Sequence, residues 1–466
     1  MVNDFISKKI VEQLPFEPTE QQGALIDLLG KFIVSDVQDK IFLLKGYAGT
    51  GKTSVVSALV RALTDLKQKH VLLAPTGRAA KVLANYSGFP AYTIHKKIYR
   101  QKKLGEYKFS LDINLNKNTL FIVDEASMIS NTATEAAFGS GVLLDDLIEY
   151  VYSGENCSML FLGDTAQLPP VGQENSPALN RQTLETYGLN VTEFTLSHVV
   201  RQALESGILY NATKLREMLN NFNTNKIPAI NSANFNDIEM ISGGDLIEAI
   251  NSAYNEVGNE ECMIITRSNK RANLQNNGIR ARVLYREEEL CNGDLLMITR
   301  NNYFWNKPYE EIEFLANGDI VEVVRIRRHR EMYGFRFATL TLRSLDYGWE
   351  IDALVWLDTL QSESPAHAKT LTDNLFKLVE EDYADIGNRR ERMKKIMENE
   401  FFNALQVKFA YAVTCHKAQG GQWKQVFVDI GPLPDERINT EFYRWLYTAV
   451  TRATEKLYFI NYPVKM

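Results

Sequence analysis

Short, unbroken apolar runs separated by helix-like stretches set the rhythm of this chain. Residues 41–44, 71–74, 120–123 and 159–162 each read as a strand buried on both faces, and each runs into a polar or glycine-rich segment. Alternation of such strands with helical patterns predicts an α/β fold, with parallel sheets covered by helices on both sides. A second series starts at 262–266, continues in a helix through Arg282 and resumes at 409–414. Between its two parts, 321–324, 335–342 and 349–356 carry strand-forming residues around a turn at Asp346-Tyr347-Gly348, which predicts a small barrel. From Ser364 the period becomes helical: Ser364 suits a cap, Pro365 the first helical position, and Leu371, Leu375, Leu378 and Tyr383 recur at helical spacing. A second, charged helix is expected over 388–402. The polar interval 92–118, with a turn at Leu104-Gly105-Glu106, predicts a projecting hairpin, and asparagine-rich 220–236 a linker between the halves.

Chemistry gathers where the apolar runs stop. The first is followed by Gly46-Tyr47-Ala48-Gly49-Thr50-Gly51-Lys52-Thr53 and then a helical pattern, the arrangement of a phosphate-binding loop. Glycines let the backbone curl so that successive N–H groups face an anion, Lys52 can reach the outer phosphates, and the Thr53 hydroxyl can ligate Mg2+. The run at 120–123 ends in Asp124-Glu125. Two adjacent acids can divide the work: Asp124 holds the metal, and Glu125 orients and deprotonates the attacking water. The run at 159–162 ends in Gly163-Asp164-Thr165-Ala166-Gln167-Leu168-Pro169-Pro170, where Gln167 can contact the terminal phosphate or the water, on a loop stiffened by two prolines.

Composition narrows the class. A chain of 466 residues, 45% hydrophobic, can bury a large core in several domains. Its formal charge of -6 excludes a protein that coats nucleic acid by bulk positive charge and leaves only local patches. One such patch is Lys96, Lys97, Arg100, Lys102 and Lys103 with Tyr99 and Tyr107; the other is Arg325, Arg327, Arg328, His329 and Arg330. Cys157, Cys262, Cys291 and Cys415 are too far apart in sequence to form a zinc or iron–sulfur clamp, and reduced thiols suit a cytoplasmic setting. Neither a signal-peptide core nor an apolar stretch long enough for a membrane span is expected.

Taken in order, these motifs resemble the superfamily 1 helicases, in the branch of RecD-like, Pif-type and Dda-like enzymes. Thr19-Glu20-Gln21-Gln22 resembles the upstream glutamine motif, which implies that Gln22 reads adenine, with Gln21 the alternative if the register shifts by one. Segment 72–83, with Pro75 and Thr76, and Thr93-Ile94-His95 resemble DNA-contacting motifs. Leu196-Ser197-His198-Val199-Val200-Arg201-Gln202 resembles the segment that supplies one arginine finger, Arg201. Val413-Thr414-Cys415-His416-Lys417-Ala418-Gln419-Gly420 and Tyr447-Thr448-Ala449-Val450-Thr451-Arg452-Ala453 resemble the last two motifs, which implies DNA contacts from Thr414, His416 and Lys417, a nucleotide contact at Gly420 and a second finger, Arg452. Ala418 departs from the pattern, since many relatives carry serine there.

The resemblance implies two RecA-like domains: 1–220 with a hairpin insertion at about 92–118, then 221–320 and 405–466, interrupted by an SH3-like barrel with a helical insert at 321–404. It further implies a monomeric ATP- and Mg2+-dependent helicase acting on single-stranded DNA and on duplexes with a 5′ single-stranded tail, moving 5′ to 3′, alongside repair or replication proteins. A RecD-like motor subunit of a recombination or repair exonuclease complex is the alternative. A nucleotide kinase would share the phosphate loop and Asp124-Glu125 but would have no use for Arg201, Arg452 and the segment 413–453.

Overall fold

Strand period decides the first lobe. The computed structural model describes residues 2–101, 109–133, 138–200, 205–220, 226–306 and 314–463. Its first eight strands are β1 (Lys40–Gly46), β2 (His70–Ala74), β3 (Ala91–Thr93), β4 (Tyr99–Gln101), β5 (Phe109–Leu111), β6 (Leu120–Val123), β7 (Ser158–Gly163) and β8 (Asn190–Leu196). Six of them form a parallel sheet in the order β3-β2-β6-β7-β1-β8. Successive side chains point to opposite faces, so Ile41, Leu43, Phe121, Val123, Met159 and Phe161 enter one core. Phe42, Leu44, Ile122, Leu160 and Leu162 enter another on the far side. Both faces are covered, which is why these strands read as continuous apolar runs.

The second lobe and the barrel share the rest of the chain. Strands β9 (Ile238–Ile241) and β10 (Cys262–Thr266) precede the barrel strands β11 (Leu295–Ile298), β12 (Ile320–Met332), β13 (Phe335–Ser344), β14 (Glu350–Trp356) and β15 (Leu405–Phe409). The chain then returns through β16 (Ala412–Thr414), β17 (Trp423–Asp429) and β18 (Ala453–Ile460) to a parallel sheet ordered β16-β10-β17-β18-β9.

Three boundaries differ from the sequence-based expectation. The closed barrel takes its first and last strands from β11 and β15, outside the expected 321–404 span. Both are short apolar runs that look locally like α/β strands, and only their pairing assigns them to the barrel: they pair antiparallel with each other, β11 pairs antiparallel with β12, and β15 pairs parallel with β14. The expected single strand at 409–414 is divided: Phe409 ends the barrel and Ala412 begins the sheet. Asn276 clamps the bend, donating to Phe409 O (3.1 Å) and Ala412 O (2.9 Å) and accepting from the Tyr411 and Ala412 N–H groups. Lastly, helix Gly207–Asn220 lies ahead of the expected boundary at 220 yet packs Ile208, Ala212 and Leu215 into the second lobe's core. The chain therefore changes lobes between β8 and this helix.

The hairpin strands β4 and β5 pair antiparallel, while the expected turn at Leu104-Gly105-Glu106 lies outside the described residues. Its root is less polar than its sequence average, because Ile94, Ile98, Tyr99 and Phe109 are buried. There Phe109 meets Tyr303 at 4.5 Å between ring centroids, and Phe138 meets Tyr303 at 5.6 Å. Tyr303 lies in the connection from β11 to β12, so the barrel supports the hairpin through that connection. The inserted helices Pro365–Glu381 and Arg389–Glu398 lean instead on the barrel wall, where Leu375, Val379 and Ile396 cover Phe337, Leu354 and Trp356. Ser364 caps the first as its sequence predicts, accepting from His367 N at 3.1 Å. Among the described residues no helix is long and apolar enough to cross a membrane.

Candidate functional site

The phosphate loop sits at the carboxyl end of β1, in the crevice where open α/β sheets hold ligands. Gly49 (φ +74°) and Gly51 (φ +80°) adopt left-handed backbone that a side chain would strain. Helix Lys52–Asp65 starts directly after Gly51, which makes no side-chain cap, so its first N–H groups are left for an anion. The Lys52 ammonium folds back to donate to the carbonyls of Gly46 and Tyr47, and the Thr50 hydroxyl donates to Tyr47 O at 2.8 Å. Thr53, in the first turn of that helix, is exposed.

The two glutamines have separate tasks. Gln22 closes a capping box with Thr19 and donates to Thr50 O at 3.3 Å. Its amide lies 2.3 Å from where a Cβ on Gly51 would be, so it is the glutamine against the phosphate loop. Gln21 instead ties β8 to the following segment, donating to Thr195 O and Ser197 Oγ and accepting from Ser197 N and His198 N.

Asp124 and Glu125 follow β6, on the same sheet edge. Asp124 accepts from Tyr86 OH (2.5 Å) and Glu125 N (2.8 Å), which fixes its carboxylate. Glu125 has φ +51°, an uncommon conformation for a side chain of its size that turns the carboxylate away from the strand line. Burial raises its pKa above the ordinary carboxylate range, against the opposing pull of Arg452. Arg452 belongs to the second lobe, is 3% exposed, and brings Nη1 to 3.6 Å from Glu125 Oε1. Its guanidinium is held by donation to Thr448 O (3.1 Å), Gly421 O (3.2 Å) and Thr451 Oγ1 (3.3 Å). Arg201 lies outside the described residues.

A residue the motifs did not single out links the lobes. Tyr447 is buried, donates its hydroxyl proton to Asp164 Oδ2 at 2.6 Å and accepts from the phosphate-loop N–H of Ala48 at 3.0 Å. One helix, Thr440–Val450, thus carries a tyrosine that touches two loops of the first lobe. The only hint in the sequence was a tyrosine shortly before Arg452. Next to it, Leu168 N donates to Thr448 Oγ1 (2.9 Å), and Gln419 donates to Leu168 O (2.7 Å). Gln167, on the same loop, is buried with its side-chain oxygen unpartnered among the described residues, so it retains an acceptor to offer.

Gly420, expected at the nucleotide, lies against the first lobe. A Cβ there would come within 2.7 Å of Ala79 Cβ and 3.1 Å of Thr76 Oγ1, so this glycine permits close approach of the lobes at helix Gly77–Ser87. The expected DNA residues fall on both lobes. Thr76, following Pro75, caps that helix through Ala79 N (3.2 Å), and Thr93 caps Ile94–Ile98 through Lys96 N (3.1 Å). His95 packs against the rings of Phe138 (4.9 Å) and Tyr99 (5.6 Å), and burial lowers its pKa to about 4, so it is neutral at neutral pH. Thr414 precedes the short helix Cys415–Ala418 that carries His416 and Lys417, and Lys417 donates to Asn317 Oδ1 across to the barrel. Of the two basic runs, Lys102, Lys103 and Tyr107 lie outside the described residues. The second run lies on β12, where Arg327 pairs with Asp352 (3.0 Å) and Arg330 with Glu400 (2.7 Å), which offsets part of its charge.

Comparison with known proteins follows the same order along the chain. Residues 31–237 match the family model of an AAA domain, and 409–460 that of the UvrD-like helicase C-terminal domain. The first holds the phosphate loop and both acids, and the second holds Arg452. Over part of its length the chain is 29% identical to the ATP-dependent RecD2 DNA helicase of Deinococcus radiodurans (33% of this chain, 18% of that protein) and 31% identical to the ATP-dependent DNA helicase dda of Enterobacteria phage T4 (28% of each). The two matched models and these partial likenesses support a superfamily 1B helicase of the RecD, Pif and Dda type. Its likeness to the uncharacterized protein R530 of Acanthamoeba polyphaga mimivirus runs further, 25% identical over 95% of this chain and 99% of that protein. The match with the two named helicases thus spans under a third of either one. A solved structure of two coordinating Pif1 helicases at forked duplex DNA is similar over 95% of this chain and 92% of its own, at 15% identity and a TM-score of 0.48.

Proposed function

We propose that this helicase hydrolyses ATP between its two lobes, moves 5′ to 3′ along single-stranded DNA and unwinds duplexes that carry a 5′ tail. One observation carries the reading: Arg452 of the second lobe reaches Glu125 of the first at 3.6 Å, beside the phosphate loop. A charge that spans the cleft makes lobe closure and phosphate chemistry parts of one event.

The residues present fit ATP and Mg2+. Gly46, Tyr47, Ala48, Gly49, Thr50 and Gly51 form the loop, and the Lys52 ammonium now resting on loop carbonyls is free to turn to a phosphate. Thr53 and Asp124 supply oxygen ligands suited to Mg2+, a hard cation. Bound ATP·Mg2+ supplies an electrophilic terminal phosphate. Glu125, with its pKa raised, takes the proton of the attacking water. Gln167 offers its side-chain oxygen to that water. Arg452 and Arg201 stabilise the charge that spreads over the terminal phosphate oxygens, an effect worth about a thousandfold or more for an arginine finger. Loss of the terminal phosphate removes what Arg452 grips, and the lobes relax. With Pro75, Thr76, Thr93 and His95 holding the strand on one lobe and Thr414, His416 and Lys417 on the other, alternating closure moves it. Contacts to phosphates leave that grip indifferent to base sequence.

Duplexes with a single 5′ or 3′ tail, incubated with ATP and Mg2+, test the direction. Unwinding of the 5′-tailed substrate is expected, and preference for the 3′ tail would reverse the assigned polarity while leaving the motor intact.

A further inference from the structure

A cavity of about 600 Å³ opens between the second lobe's sheet, the barrel and the inserted helix Pro365–Glu381. That is the size of many ligand sites, roughly 300–1,000 Å³. Its floor is apolar, with Ala272, Met297, Phe409, Ala412 and Val413. Polar ties hold its walls in place: Asn273 donates to the carbonyls of Gln361 (3.2 Å) and Ser362 (3.3 Å), anchoring the start of the inserted helix. Gln406 donates to Thr372 Oγ1 (3.1 Å), fastening that helix to the barrel.

The charge of the lining is one-sided. Arg300, Lys369, Lys408 and Lys417 border the cavity against a single carboxylate, Asp373, among the described residues. Lys408 is the informative one. On β15, Leu405, Val407 and Phe409 are buried and alternate with Gln406 and Lys408, which line the cavity. Lys408 is only partly exposed, and its ammonium makes no hydrogen bond or ion pair with any described residue. Burial alone pulls its pKa down. A half-buried ammonium with no partner among the described residues carries a cost that a methionine filling the same space would avoid. No described residue gives a reason for a cation here, but an anionic ligand would.

We infer that this cavity holds one nucleotide unit of the bound strand, its phosphate at Lys408 and its base and sugar over the apolar floor. The inference rests on the proposed function, because Thr414 and Lys417, where that strand is expected to run, lie on the cavity's own lining. A free nucleotide would present the same phosphate, but that shared lining favours the strand. The second lobe's hold on DNA then depends on the barrel and the inserted helix as well as on the motif residues.

The test is binding of fluorescent (dT)12 across a salt series by the full chain as wild type, Lys408→Met and Lys408→Arg, with thermal melts to show that each is folded. Methionine keeps the stem and removes the charge. The slope of log affinity against log salt should shrink by about 0.7, as for loss of one phosphate contact on a single strand, and affinity at low salt should fall roughly three- to tenfold. Arginine should restore both. A folded Lys408→Met variant with wild-type slope and affinity would overturn the inference. If the wild type itself neither binds (dT)12 nor hydrolyses ATP faster in its presence, the proposed function fails instead. Thymidine monophosphate should compete only weakly; tight binding of it that Lys408→Met abolishes, with the (dT)12 slope unchanged, would reassign the cavity to a free nucleotide.

Discussion

Arg452 and Glu125 illustrate how single residues would carry the proposed chemistry. Their side chains come from different lobes and meet at 3.6 Å, and three further acceptors hold the guanidinium in that pose. Arg452→Ala should lower the turnover number for ATP about a thousandfold while changing the ATP concentration at half-maximal rate far less, as steady-state kinetics would show. Glu125→Gln should abolish turnover yet leave (dT)12 affinity in place; loss of DNA binding by a folded variant would remove Glu125 from its assigned role. His95 gives a pH test of different sign. Its folded-state pKa of about 4 lies below the ordinary value near 6.5, so the unfolded chain takes up the proton first. Stability is therefore flat above about 6.5 and falls as pH drops toward 4. His95→Phe, which keeps an aromatic ring beside Phe138 and Tyr99, should flatten that fall, as melts at pH 7.5 and 5 would reveal.

At the scale of elements, the hairpin and the barrel form one device. A two-stranded hairpin is marginal alone in water, and this one gains support from Phe109 and Phe138 packed against Tyr303 of the β11–β12 connection. Aromatic pairs of this kind contribute about 0.5–1.5 kcal/mol beyond the area they bury. Tyr303→Ala should loosen the hairpin and slow strand separation several-fold, while ATP turnover stimulated by single-stranded DNA changes little. Equal loss of both would mean that Tyr303 supports the whole fold and not the hairpin. The inserted helices act elsewhere, covering the barrel wall and closing the cavity around Lys408.

Across the whole molecule, hydrogen bonds cross the seam between the lobes, beside Ala166 and Leu168 of the first lobe packed into the second lobe's core. Tyr447 links Asp164 and the Ala48 N–H, Thr448 receives Leu168 N, and Gln419 reaches Leu168 O. Hydrogen bonds can be exchanged for others as lobes open and close, whereas a packed apolar seam would resist parting. Tyr447→Phe removes one hydroxyl and leaves Asp164 and Ala48 each short of a partner, at about 1–3 kcal/mol for a buried group. Turnover should fall roughly tenfold, and base pairs opened per ATP should fall with it, as parallel ATPase and unwinding assays would measure. A variant that hydrolyses and unwinds like the wild type would show that the seam needs no hydroxyl there.

Much of the candidate nucleotide site was readable along the chain because each of its parts is local. Residues 46–53, Asp124-Glu125 and Gln167 all follow buried strands whose apolar pattern both predicts the strand and locates its end, and an open parallel sheet brings such ends together. The barrel's outer strands, the lobe boundary before helix Gly207–Asn220, the place of Gly420 against Thr76 and Ala79, and the role of Tyr447 were not readable. Those depend on which distant segments pair or touch, and a four-residue apolar run such as Leu295–Ile298 has the same local pattern in a sheet as in a barrel. Local sequence thus determined which candidate residues stand at each strand end. Only the tertiary fold, through pairing and burial across long separations, decided which of those ends face one another.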